Sequence, residues 1–154
     1  MTEVWFYHLQ GQPLEKVLPS IVEKSLGKGW RVAIQARSNE RLDALDSLLW
    51  TYSDTSFLPH GRAGDGNPYL QPVYLTSGSE NPNGAALRLL VDGADIAPVL
   101  AGTGSAYARI VTLFDGNNAS ELEHALQQWK QLKTLGLPVT YWQQGVAGRW
   151  EKKS

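Results

Sequence analysis

Cysteine is absent from the 154-residue chain, which excludes disulfides, thiol catalysis and cysteine-ligated metals. Its three histidines, His8, His60 and His124, stand far apart. They show neither an H-x-x-x-H nor an H-E-x-x-H spacing, so a metal site would need the fold to bring them together by chance. Charge is also scarce: charged residues make up 19% of the chain, the formal net charge is −1 and the pI is about 6.3. A protein that grips nucleic acid through many phosphates carries a basic footprint. Its absence argues against strong direct DNA or RNA binding as the main work. No long apolar run occurs either. The most apolar stretch, "LRLLVDGADIAPVLAG", is broken by Asp92 and Asp95 and is too short to span a bilayer, so no membrane partner is expected. The N-terminal "MTEVWFYHLQG" has an early acid and no positive segment, unlike a signal peptide, and the chain reads as cytoplasmic.

Catalytic and phosphate-binding motifs are missing as well. "GTGSAYA" (102–108) resembles a dinucleotide-binding glycine loop, but that fingerprint needs Gly or Ala as its sixth residue, after the first strand and opening a helix. Tyr107 occupies the sixth position, and the run falls late in the chain. "GRAGDG" (61–66) lacks the Gly-Lys-Ser/Thr ending of a P-loop, and no G-x-S-x-G elbow is present. The carboxylates are scattered, with no pair set apart as acid and base. "NAS" at Asn118 fits a glycosylation sequon, which a cytoplasmic chain would not use. No cofactor and no catalytic residue are therefore assigned. A nucleotide-binding α/β enzyme using the "GTGSAYA" loop is the alternative reading.

What remains is an ordinary apolar content of 42% in a length that suits one domain with a real core. "EVWFYHL" (3–9) reads as a first strand. Pro13 opens the series Leu14, Val17, Leu18, Ile21, Val22 and Leu26, one stripe of an amphipathic helix that Pro19 should kink or restart and Gly27 and Gly29 should end. "RVAIQAR" (31–37) reads as a strand, and Leu42, Leu45, Leu48 and Leu49 mark a second helix. The Gly- and Pro-rich stretch 51–71 reads as a loop, "PVYLT" (72–76) as a strand, Asn83-Gly84 as a tight turn and "ALRLLVDG" as a fourth strand. Residues 95–108 fit a short helix or a loop, and "ARIVTLFDG" a strand. Ser120 with Glu123 suggests a capping box at the start of the last helix, and Gly136 a left-handed stop. "PVTYWQQ" is then the final strand, and "GVAG" can turn it back through "RWEKK". Strands alternating with helices imply an α/β fold, three-layered, with a mainly parallel sheet flanked by helices.

Two patches stand out. On a helical wheel of about 100° per residue, Trp129 falls with Leu122, Ala125 and Leu132, while Leu126, Lys133 and Lys130 lie on its flank. The apolar seam thus grades into lysines. They also complement the helix dipole, a purely structural reason for their presence. The second patch, "LLWTYSDTSFLPHG" (48–61), places Trp50, Tyr52, Phe57 and Leu58 around a turn before Pro59. Such aromatics either fold back on the core or form an interface hot spot.

Four stretches, "WFYHL", "LLWTYSDTSFLPHG", "QPVYLT" and "WKQLKTLGLPVTYWQQ", in this order and at fitting separations, resemble the chi subunit of bacterial DNA polymerase III holoenzyme. The resemblance covers nearly the whole chain as one domain, with residues 145–154 extending beyond the shortest family members. It implies a Rossmann-like, nucleotide-binding-like fold without a catalytic site. It also implies a non-catalytic adapter in DNA replication with two partners. One is the clamp loader, reached through the psi subunit or another subunit at Trp50, Phe57 and Pro59. The other is the acidic C-terminal tail of single-stranded-DNA-binding protein, held at Trp129 and Lys130, the aromatic and lysine that match the family's motif. Lys133 joins them from the wheel. Where the family commonly has a basic residue three positions before the aromatic, this chain has Leu126.

Overall fold

The computed structural model describes residues 3–10, 12–51, 60–62, 71–78, 80–91, 93–102, 107–145 and 150–153, the Trp50 side chain excepted. The strands are β1 (Glu3–Leu9), β2 (Val32–Gln35), β3 (Gly61–Arg62), β4 (Val73–Thr76), β5 (Leu87–Leu90), β6 (Arg109–Asp115), β7 (Val139–Gln144) and β8 (Trp150–Lys152). The helices are α1 (Leu14–Gly27), α2 (Asn39–Thr51), α3 (Ala97–Ala101) and α4 (Ala119–Thr134). The strands form one sheet in the order β3-β4-β2-β5-β6-β1-β7-β8, with every pairing parallel except β7 with β8.

Helices cover both faces, giving the expected three layers. Leu18 and Val22 of α1 and Leu45 and Leu49 of α2 pack with Ile34, Leu75, Leu89 and Val111 on one face. Val99 of α3 and Ala125 and Leu132 of α4 pack with Phe6, Leu90 and Ile110 on the other. Strands buried on both faces need apolar residues at nearly every position rather than at alternate ones, which is why "LRLL" and "IVTLF" read as continuous runs. Full burial of a side chain such as Leu18, which has no exposed surface, contributes about 1.5–3 kcal/mol.

Local chemistry departs from expectation in three places. α1 runs through Pro19 without restarting; the ring removes one N–H donor, and the buried Val17, Leu18 and Val22 hold the helix together across it. α4 is not capped by Ser120. Asn118 stands at the N-cap in an extended conformation, and its side-chain oxygen accepts the Glu121 N–H at 3.1 Å. The turn after β6, closed by Asn118 N–H donating to Asp115 C=O, delivers Asn118 to the cap first, and Asn is as good a cap as Ser. Finally, Gly61–Arg62, read as loop, adds the edge strand β3 beside β4.

Other expectations hold. Gly84 and Gly136 have positive φ, 63° and 75°, as the tight turn and the helix stop require. The segment left open between helix and loop contains α3. The antiparallel return expected after "GVAG" exists as β8 on β7. Among the described residues no helix is long and apolar enough to cross a membrane.

Candidate functional site

The last turns of α4 bring Trp129, Lys130 and Lys133 together, as the wheel predicts. The parallel register of β1 and β7 sets Phe6 beside Tyr141, and both rings face α4. Trp129 rests edge-on against them, with ring centroids 5.9 Å from Phe6 and 5.5 Å from Tyr141. The indole is therefore half-buried, fixed from below and open at its outer edge. Edge-to-face aromatic pairs of this kind contribute about 0.5–1.5 kcal/mol beyond the area they bury.

Around that edge stand the polar and apolar groups of the patch. The Lys133 ammonium lies 4.8 Å from the centre of the indole ring. Lys130 is exposed and has no ion pair among the described residues. One turn earlier Leu126 keeps 40% of its surface exposed, beside Trp129 and Lys130 at helical spacings of three and four. The sheet-facing side of the helix, next to Trp129, is anchored by Leu132, Ala125 and Gln128, whose side-chain oxygen accepts the Ile96 N–H at 2.9 Å. The result is an apolar shelf with two cations, able to take an anionic group attached to a ring or alkyl chain.

Behind the shelf, Tyr141 reaches a buried histidine. Its hydroxyl lies 2.7 Å from His8 Nδ1, and burial pushes its pKa up to about 12. Burial also lowers the pKa of His8, against a smaller opposing pull from Asp115. Sequence reasoning did not pick out Tyr141, His8 or Phe6 as supports of Trp129, because that depends on strand register.

A second place was expected at Trp50, Phe57 and Pro59. Trp50 belongs to α2, but its side chain lies outside the described residues, as do Phe57 and Pro59. The "GTGSAYA" loop is likewise described only at its ends. Gly102 follows α3, and Tyr107 is buried with its hydroxyl accepting a hydrogen bond from Arg88 at 3.1 Å.

A crevice among the described residues lies elsewhere. β1 feeds α1 on one face and its neighbour β6 feeds α4 on the other, so the sheet has a topological switch point between them, where α/β folds usually bind ligands. A cavity of about 400 Å³ opens there, lined by Leu9, Gln12, Leu113 and Arg41, with Glu15, Asp115 and Glu121. Three carboxylates to one guanidinium oppose a phosphate, so this crevice does not favour the nucleotide reading. Among the described residues, no group of three or more His, Asp or Glu could hold a metal ion.

Comparison with known proteins bears on the same segments. The family described as "DNA polymerase III chi subunit, HolC" matches residues 1–140. The "Probable DNA polymerase III subunit chi" of Rickettsia prowazekii (strain Madrid E) is 31% identical over 100 residues, covering 65% of this chain and 61% of that protein.

Proposed function

Since the chain belongs to the DNA polymerase III chi subunit family, an accessory subunit of the replicative polymerase, we propose that it is a non-catalytic adapter. In this reading it binds the acidic C-terminal tail of single-stranded-DNA-binding protein on α4 and joins the clamp loader through psi or another subunit at Trp50, Phe57 and Pro59. The observation that carries the first part is the half-buried Trp129, seated on Phe6 and Tyr141 with Lys133 over its ring and Lys130 exposed beside it. A peptide end made of carboxylates and a terminal aromatic ring needs cations next to an apolar surface.

Magnitudes favour a weak, reversible grip. Burying the peptide's phenylalanine contributes about 1.5–3 kcal/mol, and each charge-assisted hydrogen bond about 1.5–3 kcal/mol. Ordering the peptide offsets part of this. A Kd on the order of micromolar follows, weakening with salt because the lysines are exposed.

Fluorescence anisotropy of a labelled acidic peptide ending in Pro-Phe, titrated with the full chain at low and high salt, tests the reading. Binding that needs the terminal phenylalanine and is lost in Trp129→Ala and Lys130→Glu is the expected result. Normal binding by both variants would place the site elsewhere, and no binding by the parent chain would end the proposal.

A further inference from the structure

The other face of the sheet carries a row of large aromatic rings that the α4 site does not use. The registers of β1, β7 and β8 place Tyr7 beside Trp142, Trp142 beside Lys152 and Gln144 beside Trp150. With Trp5 two residues before Tyr7, these side chains share one face. Their rings form a continuous series: Trp142 to Trp5 at 5.6 Å, Trp5 to Tyr7 at 6.1 Å and Tyr7 to Trp150 at 4.7 Å between centroids. All are partly exposed. On this face α1 packs chiefly over β2 and β6. Trp5, Tyr7 and Trp150 border the core, whereas Trp142 belongs to neither core cluster.

Cations surround the row. The Arg109 guanidinium lies 3.6 Å from the centre of the Trp5 ring and 5.4 Å from that of Trp30, and the Lys28 ammonium lies 5.1 Å from Trp30. Lys152 stands directly across from Trp142. The one carboxylate among the residues of β1, β7 and β8 on this face is Glu3, which meets Arg109 at 3.3 Å. Lys28 and Lys152 have no ion pair among the described residues. Arg109 covers the face of Trp5, so Trp142 and Trp150 are the rings left to stack. Fixed π-faces with cations at their margins are what stacked bases and their phosphates require, whatever the base sequence. The crevice at the switch point does not include these rings, and a row of flat rings flanked by cations matches bases and phosphates better than peptide side chains.

We propose that Trp142 and Trp150 form a stacking platform for single-stranded nucleic acid, with Lys28, Arg109 and Lys152 contacting its phosphates. The overall charge of −1 keeps this contact weak and strongly salt-dependent. It lies on the face of the sheet opposite α4, so one chain can engage both sites, and the platform does not depend on the peptide reading.

The test titrates the full chain into a fluorescein-labelled oligothymidylate, following anisotropy and tryptophan fluorescence. Saturable binding with quenching at low salt, largely lost at about 0.2 M salt, is expected. Lys152→Glu and Trp142→Ala should each weaken it about tenfold, as should an abasic strand of the same length. Trp142→Phe, which keeps a stacking ring, should stay close to the parent, and this separates lost stacking from lost folding. Trp129→Ala should bind the oligonucleotide normally. No binding at low salt, equal binding of the abasic strand, or indifference to both Lys152→Glu and Trp142→Ala would each overturn the proposal.

Discussion

The hydroxyl of Tyr141 lies 2.7 Å from Nδ1 of His8, and the same tyrosine ring supports Trp129 from below at 5.5 Å. A buried histidine is thus joined to an exposed surface patch through one side chain. With the phenol pKa pushed up to about 12 and the imidazole pKa lowered by burial, the hydrogen bond joins two neutral groups, and the imidazole tautomer sets which one donates. His8 Nε2, on the far side of that ring, has no partner among the described residues.

This arrangement sets a pH dependence. The folded-state pKa of His8 is below its unfolded value, so as pH falls through about 6.5 the unfolded chain takes up a proton that the folded chain refuses. The contribution of His8 is therefore full above the unfolded pKa and is lost as pH falls toward the depressed folded value. Thermal melts at about pH 7.5 and 5.5 should show the parent losing more stability on acidification than His8→Gln, which keeps a hydrogen-bonding side chain but does not titrate. Equal losses would show that His8 is not the group responsible.

Gly116 closes the other side of the same histidine. A Cβ built there would overlap His8 Nε2 and Cδ2. The imidazole is held by Tyr141 and by Phe114, 5.0 Å away between centroids, so it has little freedom to retreat. Gly116→Ala should destabilise the fold by about 1–3 kcal/mol, the usual cost of overpacking. In a His8→Ala background the same change should cost much less, since the clash partner is gone. A double-mutant cycle by urea denaturation measures the coupling, and additive effects would refute the contact.

Arg88, unlike neutral His8, is a buried charge. It has no exposed surface in the centre of the sheet. Its guanidinium donates to Gln35 Oε1 at 3.1 and 2.5 Å, to the Glu80 carbonyl at 2.6 Å, to the Tyr107 hydroxyl at 3.1 Å, and to the Gly78 carbonyl. Only a planar fork reaches acceptors in so many directions. Arg88→Lys keeps the charge but leaves several of these acceptors unmet. It should cost about 3 kcal/mol, near the range for breaking a buried charged network. Denaturation midpoints check this, and a lysine variant as stable as the parent would show that charge alone suffices.

Elements whose pattern is local and repeated were readable from sequence. The runs of β1 and β6 and the leucine spacing of α2 declare themselves within a few residues, and so does the lysine flank of α4. Features built from distant partners were not. Gln144 is fully buried because its side-chain oxygen accepts the N–H groups of Gln10 and Gln12 at 3.3 and 2.9 Å, more than 130 residues away. Arg88 reads as a polar interruption of a strand until Gln35 and Tyr107 come to meet it. β3 is too short to show any periodicity. Asn118 and Ser120 both make acceptable caps, and only the turn after Asp115 decides between them. In the candidate site the exposed residues could be placed from the wheel, but Phe6 and Tyr141 could not, because their support of Trp129 depends on how β1 and β7 align.

Leu126 offers the sharpest check on the α4 site. It is 40% exposed, three residues before Trp129, and gives the shelf an apolar margin where a cation would reach an acidic peptide. If the tail binds across Trp129, Leu126→Arg adds a third positive charge within about one helical turn. Affinity for an acidic peptide should then rise several-fold at low salt, and the salt dependence should steepen, because exposed charges are screened beyond roughly 10 Å at 0.1 M. Leu126→Ala should weaken binding modestly at every salt concentration, since it removes apolar contact and no charge. Anisotropy titrations of the parent and both variants separate the effects. An arginine variant with unchanged affinity and salt slope would mean that the peptide does not pass over this turn of α4.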